Sequence, residues 1–231
     1  MLRTWAPGGQ WQGKNWRNLG YNVYAHFPEF PPDGDPTNDE IGAPGSVGTG
    51  DLQVDYQTTS ADFWRFVDHY QPRILITTSR GGAIEWELEA IEGGHGELES
   101  SDPASGWIED RSGAEFLPTQ VSVDPRSWHA ISKYRAGKTL SSKLPLQKLL
   151  DELSALGVLN VEINHETSGN YLSGFMGLHG LYYNTIQTEN LVAGHIHVGR
   201  HVNVQDATTM MEKTLEIILT QHPACPSEES Q

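Results

Sequence analysis

The stretch VLNVEINHETSGNYLSGFMGLHGLYYN, residues 158–184, decides the fold. Its first part, 158–164, is an apolar run with β-branched residues and predicts a buried strand. Residues 171–184 predict a helix, and the polar segment between the two predicts a turn. A strand that leads at once into a helix is the repeating unit of an α/β protein with a parallel sheet.

The same alternation continues on both sides of this stretch. Further strands are predicted at 21–27, 52–57, 73–78 and 191–199, and further helices at 60–70, 144–157 and 206–221, with Ser60 and Asp206 as N-caps. The pattern predicts a largely parallel sheet covered by helices on both faces. Because sites in such sheets form at the carboxyl ends of strands, we expect the chemistry just after residues 27, 78, 164 and 197.

Length and charge restrict the class of protein. The chain has 231 residues, and we expect a single domain at 21–221, an N-terminal extension at 1–20 and a disordered tail at 222–231. The net charge of −15 disfavours nonspecific binding to nucleic acids and to anionic membranes. We therefore expect neither a nucleic acid nor a membrane as a partner.

The single cysteine, Cys225, lies in the polar C-terminal segment. No intramolecular disulfide can form, so we expect a cytoplasmic protein. A thiol in a tail is a poor nucleophile, because nothing around it holds a base in place. The sequence also contains no run of about 18 apolar residues that would predict a membrane span.

Ser173 stands at the start of the predicted helix at 171–184, where a nucleophile would be well placed. A hydroxyl is a weaker nucleophile than a thiolate and needs a positioned base. The alternative is packing, because Ser173, Gly177 and Gly180 share one helical stripe, with Gly174 beside them. Such a stripe of small residues lets a strand or helix approach closely.

Histidines offer a base for this serine. His197 follows His195 by two residues in a predicted strand, so both rings lie on one face of the sheet. His197 is the candidate base, whereas a buried His195 with a hydrogen-bond partner would be structural. A metal site is a further alternative, with His201 or the pair His165 and Glu166 completing it.

Six segments of the chain stand out together: HFPEFPPDGDPTNDE (26–40), LQVDY (52–56), ITTSRGGAIEWELEAI (76–91), SSKLPLQKLLDELSALGV (141–158), TSGNYLSGF (167–175) and GHIHVG (194–199). In this order along the chain they resemble the pyroglutamyl peptidase I family of cysteine peptidases, which remove an N-terminal pyroglutamate. The resemblance implies a three-layer α/β/α sandwich around a mostly parallel twisted sheet, similar to pyroglutamyl peptidases and nucleoside phosphorylases.

The resemblance also implies catalytic residues. Ser173 stands at the position of the family's nucleophilic cysteine, and His197 stands at that of its histidine. Glu87 matches the family's glutamate, with Glu85 and Glu89 as neighbouring candidates for the same role. In a sequence this rich in acids, the alternative for Glu87 is a solvated sheet edge.

Further positions concern the substrate. Phe27 and Phe30 match aromatic residues that wall the lactam pocket in the family. Ser79 replaces a glutamine that helps to hold the pyroglutamyl amide, and Arg80 adds a charge beside it. Gly174 replaces the asparagine that follows the nucleophile.

These matches predict a hydrolase that cleaves an amide next to an N-terminal pyroglutamate or a similar small cap, in a small peptide or capped amide. The resemblance implies no cofactor, no metal and a homo-oligomer. The alternative is an inactive pseudoenzyme that binds a small ligand or a peptide terminus. A changed substrate is a third hypothesis, in which Arg80 pairs with a substrate carboxylate.

Overall fold

The computed structural model describes residues 12–13, 15–26, 55–95, 100–108 and 117–224. The helices are α1 (Tyr56–Tyr70), α2 (Pro125–Lys133), α3 (Leu146–Ser154), α4 (Leu172–Ile186) and α5 (Val204–Gln221). The strands are β1 (Gln12–Gly13), β2 (Val23–Tyr24), β3 (Ile74–Gly81), β4 (Trp86–Gly93), β5 (Thr139–Ser141), β6 (Val161–Thr167) and β7 (Val192–Gly199).

Five strands form the central sheet. β3 pairs with β7 and β4 pairs with β6 in parallel, whereas β4 runs antiparallel to both β7 and β5. The longest ladder is the parallel one between β3 and β7, which joins eight residue pairs. The sheet is therefore mostly parallel and is flanked by helices, which confirms the predicted α/β class.

The two faces of the sheet differ in chemistry. Apolar residues such as Leu88, Val192 and Ile196 face α3 and α5 and form the main core with Leu149 and Met210. The opposite face carries a group of polar side chains, which we call the polar sheet face. Its members are Thr77, Ser79, Glu87, Glu89, Glu92, His195 and His197. The sheet thus places the main core on one face and the candidate chemistry on the other.

Helix α4 lies against the polar sheet face through a stripe of small residues. A Cβ added at Gly177 would lie 2.6 Å from Glu92 Oε1, and one added at Gly180 would lie 3.3 Å from Thr77 Cγ2. These distances confirm that the glycines allow close approach of the helix to the sheet. Ser173 belongs to the same stripe, one turn before Gly177.

The predicted strand at 52–57 is wrong at its end, where the described residues are helical. Tyr56 and Gln57 form the first turn of α1, because the Asp55 side chain caps the helix. This carboxylate accepts hydrogen bonds from the backbone N–H groups of Gln57, at 2.7 Å, and Thr58, at 3.3 Å. Aspartate is among the strongest N-caps, and here it overrides the β-like pattern.

In place of the strand predicted at 21–27, the structure has a shorter strand that does not belong to the central sheet. Only Val23–Tyr24 is a strand among the described residues of this range, and it pairs antiparallel with Gln12–Gly13 rather than with the central sheet. Phe27 lies outside the described residues.

Other element ends also shift. Strand β3 continues to Gly81, beyond the end at residue 78 that the sequence predicts. Asn203 caps α5 by accepting a hydrogen bond from the backbone N–H of Asp206, which was the predicted cap. Helix α2 and strand β5 were not predicted at all.

Residues before the predicted domain boundary pack against the body of the protein. Trp16 is buried in the main core, and the Arg17 guanidinium pairs with Glu212 and Glu216 of α5. The extension at 1–20 and the disordered tail at 222–231 stay predictions. Among the described helices, none combines the length and the apolar character that a membrane crossing requires.

A chain of buried hydrogen bonds joins α1, α2 and α4. Ser60, predicted as an N-cap, is instead buried within α1 and bonds to Ser127 Oγ of α2 at 2.7 Å. Ser127 also receives the Trp64 indole N–H at 2.6 Å and lies 2.5 Å from His179 Nε2 of α4. Because His179 Nδ1 donates to the Phe175 carbonyl, Nε2 accepts from the Ser127 hydroxyl.

We expect Ser127→Ala to lower the free energy of unfolding by about 2–4 kcal/mol, because each buried polar group left without a partner costs about 1–3 kcal/mol. The substitution strips the Trp64 N–H and His179 Nε2 of their shared partner. Urea unfolding followed by circular dichroism measures the loss. Ser132→Ala, near the surface of the same helix, is the control, and equal stability of the two variants would contradict the prediction.

Acid should destabilise the fold. Burial is the largest of the effects that lower the pKa values of His26, His95 and His179 to about 4. In the unfolded chain these imidazoles have a pKa of about 6.5, so between pH 6.5 and 4 the unfolded state binds more protons. Stability should therefore be complete above pH 6.5 and fall as the pH drops toward 4.

Urea unfolding at a series of pH values tests this dependence. The fully buried His179 alone should contribute a slope of about 1.4 kcal/mol per pH unit in that window. Burial raises the pKa values of Glu87 and Glu92, which act in the opposite direction, but burial also lowers the pKa of His195, so two carboxyls oppose four imidazoles. A flat stability curve between pH 7 and 4.5 would overturn the prediction.

Candidate active site

The centre of the site is a buried pair of side chains on the polar sheet face. His197 Nδ1 lies 2.6 Å from Glu89 Oε1, and both residues are almost completely buried. The second oxygen of Glu89, Oε2, has no hydrogen-bond partner among the described residues. A buried carboxylate on one ring nitrogen fixes the orientation of the imidazole and leaves the other nitrogen for chemistry.

Glu87 lies on the same face but farther from the histidine. Its Oε2 is 3.9 Å from His197 Nδ1, although Glu87 and His197 are direct partners in the β4–β7 ladder. Burial, and then repulsion from Glu89, raise the pKa of Glu87, while the charge of His197 opposes the rise. The closer partner of the histidine is therefore Glu89, one of the neighbouring candidates.

The third candidate acid, Glu85, has a different contact. Its Oε2 accepts a hydrogen bond of 2.8 Å from the backbone N–H of Asn160, just before β6. Glu85 thus ties the start of β4 to the start of β6.

His195 is buried and both of its ring nitrogens have hydrogen-bond partners, as expected for a structural histidine. Its Nδ1 lies 2.8 Å from Thr77 Oγ1 and its Nε2 lies 2.9 Å from Ser79 Oγ. Burial, followed by the neighbouring His197, lowers the pKa of His195 well below its ordinary value. The ring is neutral at physiological pH, and both its nitrogens are occupied.

The two residues predicted to contact the substrate in β3 point in different directions. Ser79 pairs with His197 in the ladder, and Arg80 pairs with Val198, which packs against the main core. Since successive side chains alternate between faces, the exposed Arg80 lies on the face opposite to Ser79. The structure does not bring Arg80 onto the polar sheet face.

Ser173 lies in the first turn of α4 and is half-buried. Its hydroxyl makes no hydrogen bond to any described residue, so no structural contact there occupies it. Tyr171, the N-cap residue of α4, makes no side-chain capping bond, which leaves N–H groups of the first turn without a side-chain acceptor.

Glu92 holds the loop in front of this helix. Its carboxyl group accepts hydrogen bonds from Ser168, from the hydroxyl at 2.5 Å and from the backbone N–H at 3.3 Å. Burial raises the pKa of Glu92 well above its ordinary value. Ser168 and Gly169, which has a φ of +98°, thus lead the chain from β6 into α4 over a buried carboxyl group.

Gly174, next to Ser173, is tightly enclosed. A Cβ added there would lie 2.1 Å from the carbonyl oxygen of Gly169 and 3.3 Å from His95 Nε2. The asparagine of the resembling family therefore has no room at this position. His95 Nε2 is buried and has no hydrogen-bond partner in the described part of the chain, and the His95 ring packs beside Trp107.

Phe27 and Phe30, the predicted pocket wall, lie outside the described residues. Glu92, Ser168 and His95 were not singled out in the sequence. The segment WELEAIE contains the necessary acids, but a register shift between Glu89 and Ile91 changes the simple alternation of the strand.

One cluster of side chains has the composition of a metal site. Donor atoms of Glu87, Glu89 and His197 all lie within 4.8 Å of one another. This is the one such group of three or more His, Cys, Asp or Glu side chains in the described part of the chain.

Comparison with known proteins shows a relationship in structure only. No family model and no curated protein matches the chain. Among solved structures, a mutant pyrrolidone carboxyl peptidase from the hyperthermophile Pyrococcus furiosus matches with a TM-score of 0.55 and 16% identity, over 73% of this chain and 79% of that one. The pyrrolidone carboxyl peptidase from Thermococcus litoralis matches with the same TM-score and identity, over 73% and 76% of the two chains.

A TM-score above 0.5 across most of both chains indicates a shared fold, and identity this low supports no conclusion beyond it. The chain therefore has the α/β fold of the pyrrolidone carboxyl peptidases.

Proposed function

We propose that the protein is a hydrolase that cleaves an amide bond next to an N-terminal pyroglutamate or a similar small cap. The observation that carries the proposal is the buried pair of His197 and Glu89 on the sheet of a fold shared with pyrrolidone carboxyl peptidases. The substrate is a small peptide or a capped amide.

In this proposal His197 is the general base and Glu89 orients it. Glu89 accepts from His197 Nδ1–H, so the lone pair of Nε2 is free to take a proton. Glu89 thus takes the role that the resemblance assigns to Glu87, because its carboxylate is closer to the ring and more deeply buried.

Ser173 is the proposed nucleophile. Its oxygen attacks the amide carbonyl while His197 takes the hydroxyl proton, and the C–N bond then breaks as His197 returns that proton to the leaving amine. Water hydrolyses the acyl-serine in a second step with the same base. Uncapped N–H groups at the start of α4 supply hydrogen bonds to the oxyanion.

A second candidate is a pseudoenzyme that binds a small ligand or a peptide terminus. Two observations favour it. The Ser79 hydroxyl, at the position of the family's amide-binding glutamine, is bonded to His195 rather than open to a substrate. Gly174 leaves no room for the family's asparagine beside the nucleophile.

Release of a fluorescent amine from pyroglutamyl aminocoumarin, with acetyl, formyl and prolyl amides as a panel, tests the proposal. A fluorophosphonate probe, located by mass spectrometry, should label Ser173 if its hydroxyl is activated. Turnover with labelling at that residue supports the hydrolase. Silence across the panel, with no labelling, would refute it and leave the binding protein.

We also propose a cytoplasmic homo-oligomer that works without a cofactor. The single Cys225 supports a reducing compartment, and the resemblance supports assembly and cofactor-free chemistry. Light scattering coupled to size exclusion should give a mass of at least twice the 25.6 kDa of one chain. The mass of a single chain would contradict the assembly.

A further inference from the structure

We propose that Glu87, Glu89 and His197 form a binding site for a divalent first-row transition metal ion, for which Zn²⁺ is the appropriate probe. The site does not depend on the proposed hydrolysis. Two carboxylates and one imidazole are hard and borderline donors that suit Zn²⁺ and its neighbours in the first row.

Distances between the donor atoms fit such an ion. Ligand atoms of a tetrahedral zinc site lie about 3.3–3.5 Å apart, given Zn–N and Zn–O bonds of about 2.0–2.2 Å. The observed separations from His197 Nδ1 are 2.6 Å to Glu89 and 3.9 Å to Glu87, and all three donor atoms lie within 4.8 Å of one another. Small side-chain rotations bring the three donors to coordinating distance.

The two carboxylates of the cluster favour the binding of a cation. Among the described residues, no lysine or arginine forms an ion pair with Glu87 or Glu89, and His197 is the one basic side chain that contacts both. Glu89 is 1% exposed, and no described residue gives its Oε2 a hydrogen bond. A buried carboxylate oxygen without a donor is costly, and a bound cation would satisfy it.

The strands position the three ligands before any ion arrives. Glu87 and Glu89 alternate onto one face of β4, and Glu87 is the direct ladder partner of His197 in β7. The Glu87 side chain is 21% exposed, which provides the route by which an ion reaches the buried pair. Three protein ligands with an exposed side are typical of zinc sites that keep one coordination position open.

Coordination would also affect the proposed catalysis. An ion on His197 Nδ1 binds the lone pair of that nitrogen, so the proton that Nδ1 donates to Glu89 moves to Nε2. A protonated Nε2 has no lone pair left and cannot act as the general base. If the proposed hydrolysis holds, Zn²⁺ therefore acts as an inhibitor that competes with the proton at Nδ1.

Calorimetric titration of ZnCl₂ into the untagged, full-length protein, freed of metal by chelation, tests the site at pH 7.5. We expect one ion per chain, and Co²⁺ in place of Zn²⁺ should give visible absorption bands of a low-coordinate site. Glu87→Gln and His197→Gln should each weaken binding by more than about tenfold. His165→Gln, an exposed histidine in β6, should leave the affinity unchanged.

Circular dichroism and thermal melts of each variant establish that it is folded. Glu87→Gln is the deciding variant, because the Glu87 side chain is partly exposed and its replacement should leave the packing of the core intact. Unchanged affinity in a folded Glu87→Gln variant, or one-to-one binding lost only in His165→Gln, would overturn the proposal. The readout is binding, so a protein without hydrolytic activity would still support or refute the site.

Discussion

Ser173→Ala should lower kcat/KM for the best amide of the panel by more than about 10³-fold, because loss of an effective nucleophile costs up to about 10⁶ in rate. The substitution removes one oxygen in the first turn of α4 from a hydroxyl that makes no hydrogen bond to the described residues. The fold should therefore survive, and the rate loss reports chemistry rather than unfolding.

Ser173→Cys is the matched variant. A thiol near the positive end of a helix ionises more readily, so the cysteine variant should retain or exceed the activity of the natural serine. Activity that appears only in this variant would support the pseudoenzyme, in which a site remains but its nucleophile is lost. Equal rates for the protein and Ser173→Ala would show that this hydroxyl is not the nucleophile.

Glu89→Gln should reduce kcat by about 10³–10⁴-fold, which is the scale seen when the orienting acid of a Ser–His–acid triad becomes an amide. An amide in place of the carboxylate can hold the imidazole in the wrong tautomer and cannot stabilise its protonated form. Glu89 is buried at 2.6 Å from the ring, so solvent cannot take over either task.

Glu87→Gln is the control on the same strand and face. Because Glu87 lies 3.9 Å from the same nitrogen, its substitution should reduce kcat by less than about tenfold. Progress curves with the capped amide, on variants whose thermal melts match the parent, provide the comparison. A larger loss in Glu87→Gln than in Glu89→Gln would return the orienting role to Glu87.

Regular periodicity made several elements predictable. The strand at 191–199 and the helix at 171–184 agree with Val192–Gly199 and Leu172–Ile186, because both are long and mostly apolar. The segment around Asp55 failed because a single capping carboxylate decides between strand and helix. That competition depends on the hydrogen bonds of one side chain and not on periodicity.

The sequence predicted which types of residue form the site better than it predicted the role of each residue. A two-residue spacing places Glu87 and Glu89 on one face, but only side-chain reach decides which of them contacts His197. Glu92 was missed because the irregular register after Glu89 alters the alternation. Ser127 could not be recognised either, because its partners lie 52 to 67 residues away in the chain.

The reversed direction of β4 has a consequence for how such a protein can diversify. The acids lie in the first half of β4 and the histidine in the last half of β7, and their backbones are locked together by a ladder. Connecting segments could lengthen, shorten or be exchanged without moving these three side chains relative to one another. A lineage with this arrangement can explore new substrates through its surface segments while it inherits the same charged centre unchanged.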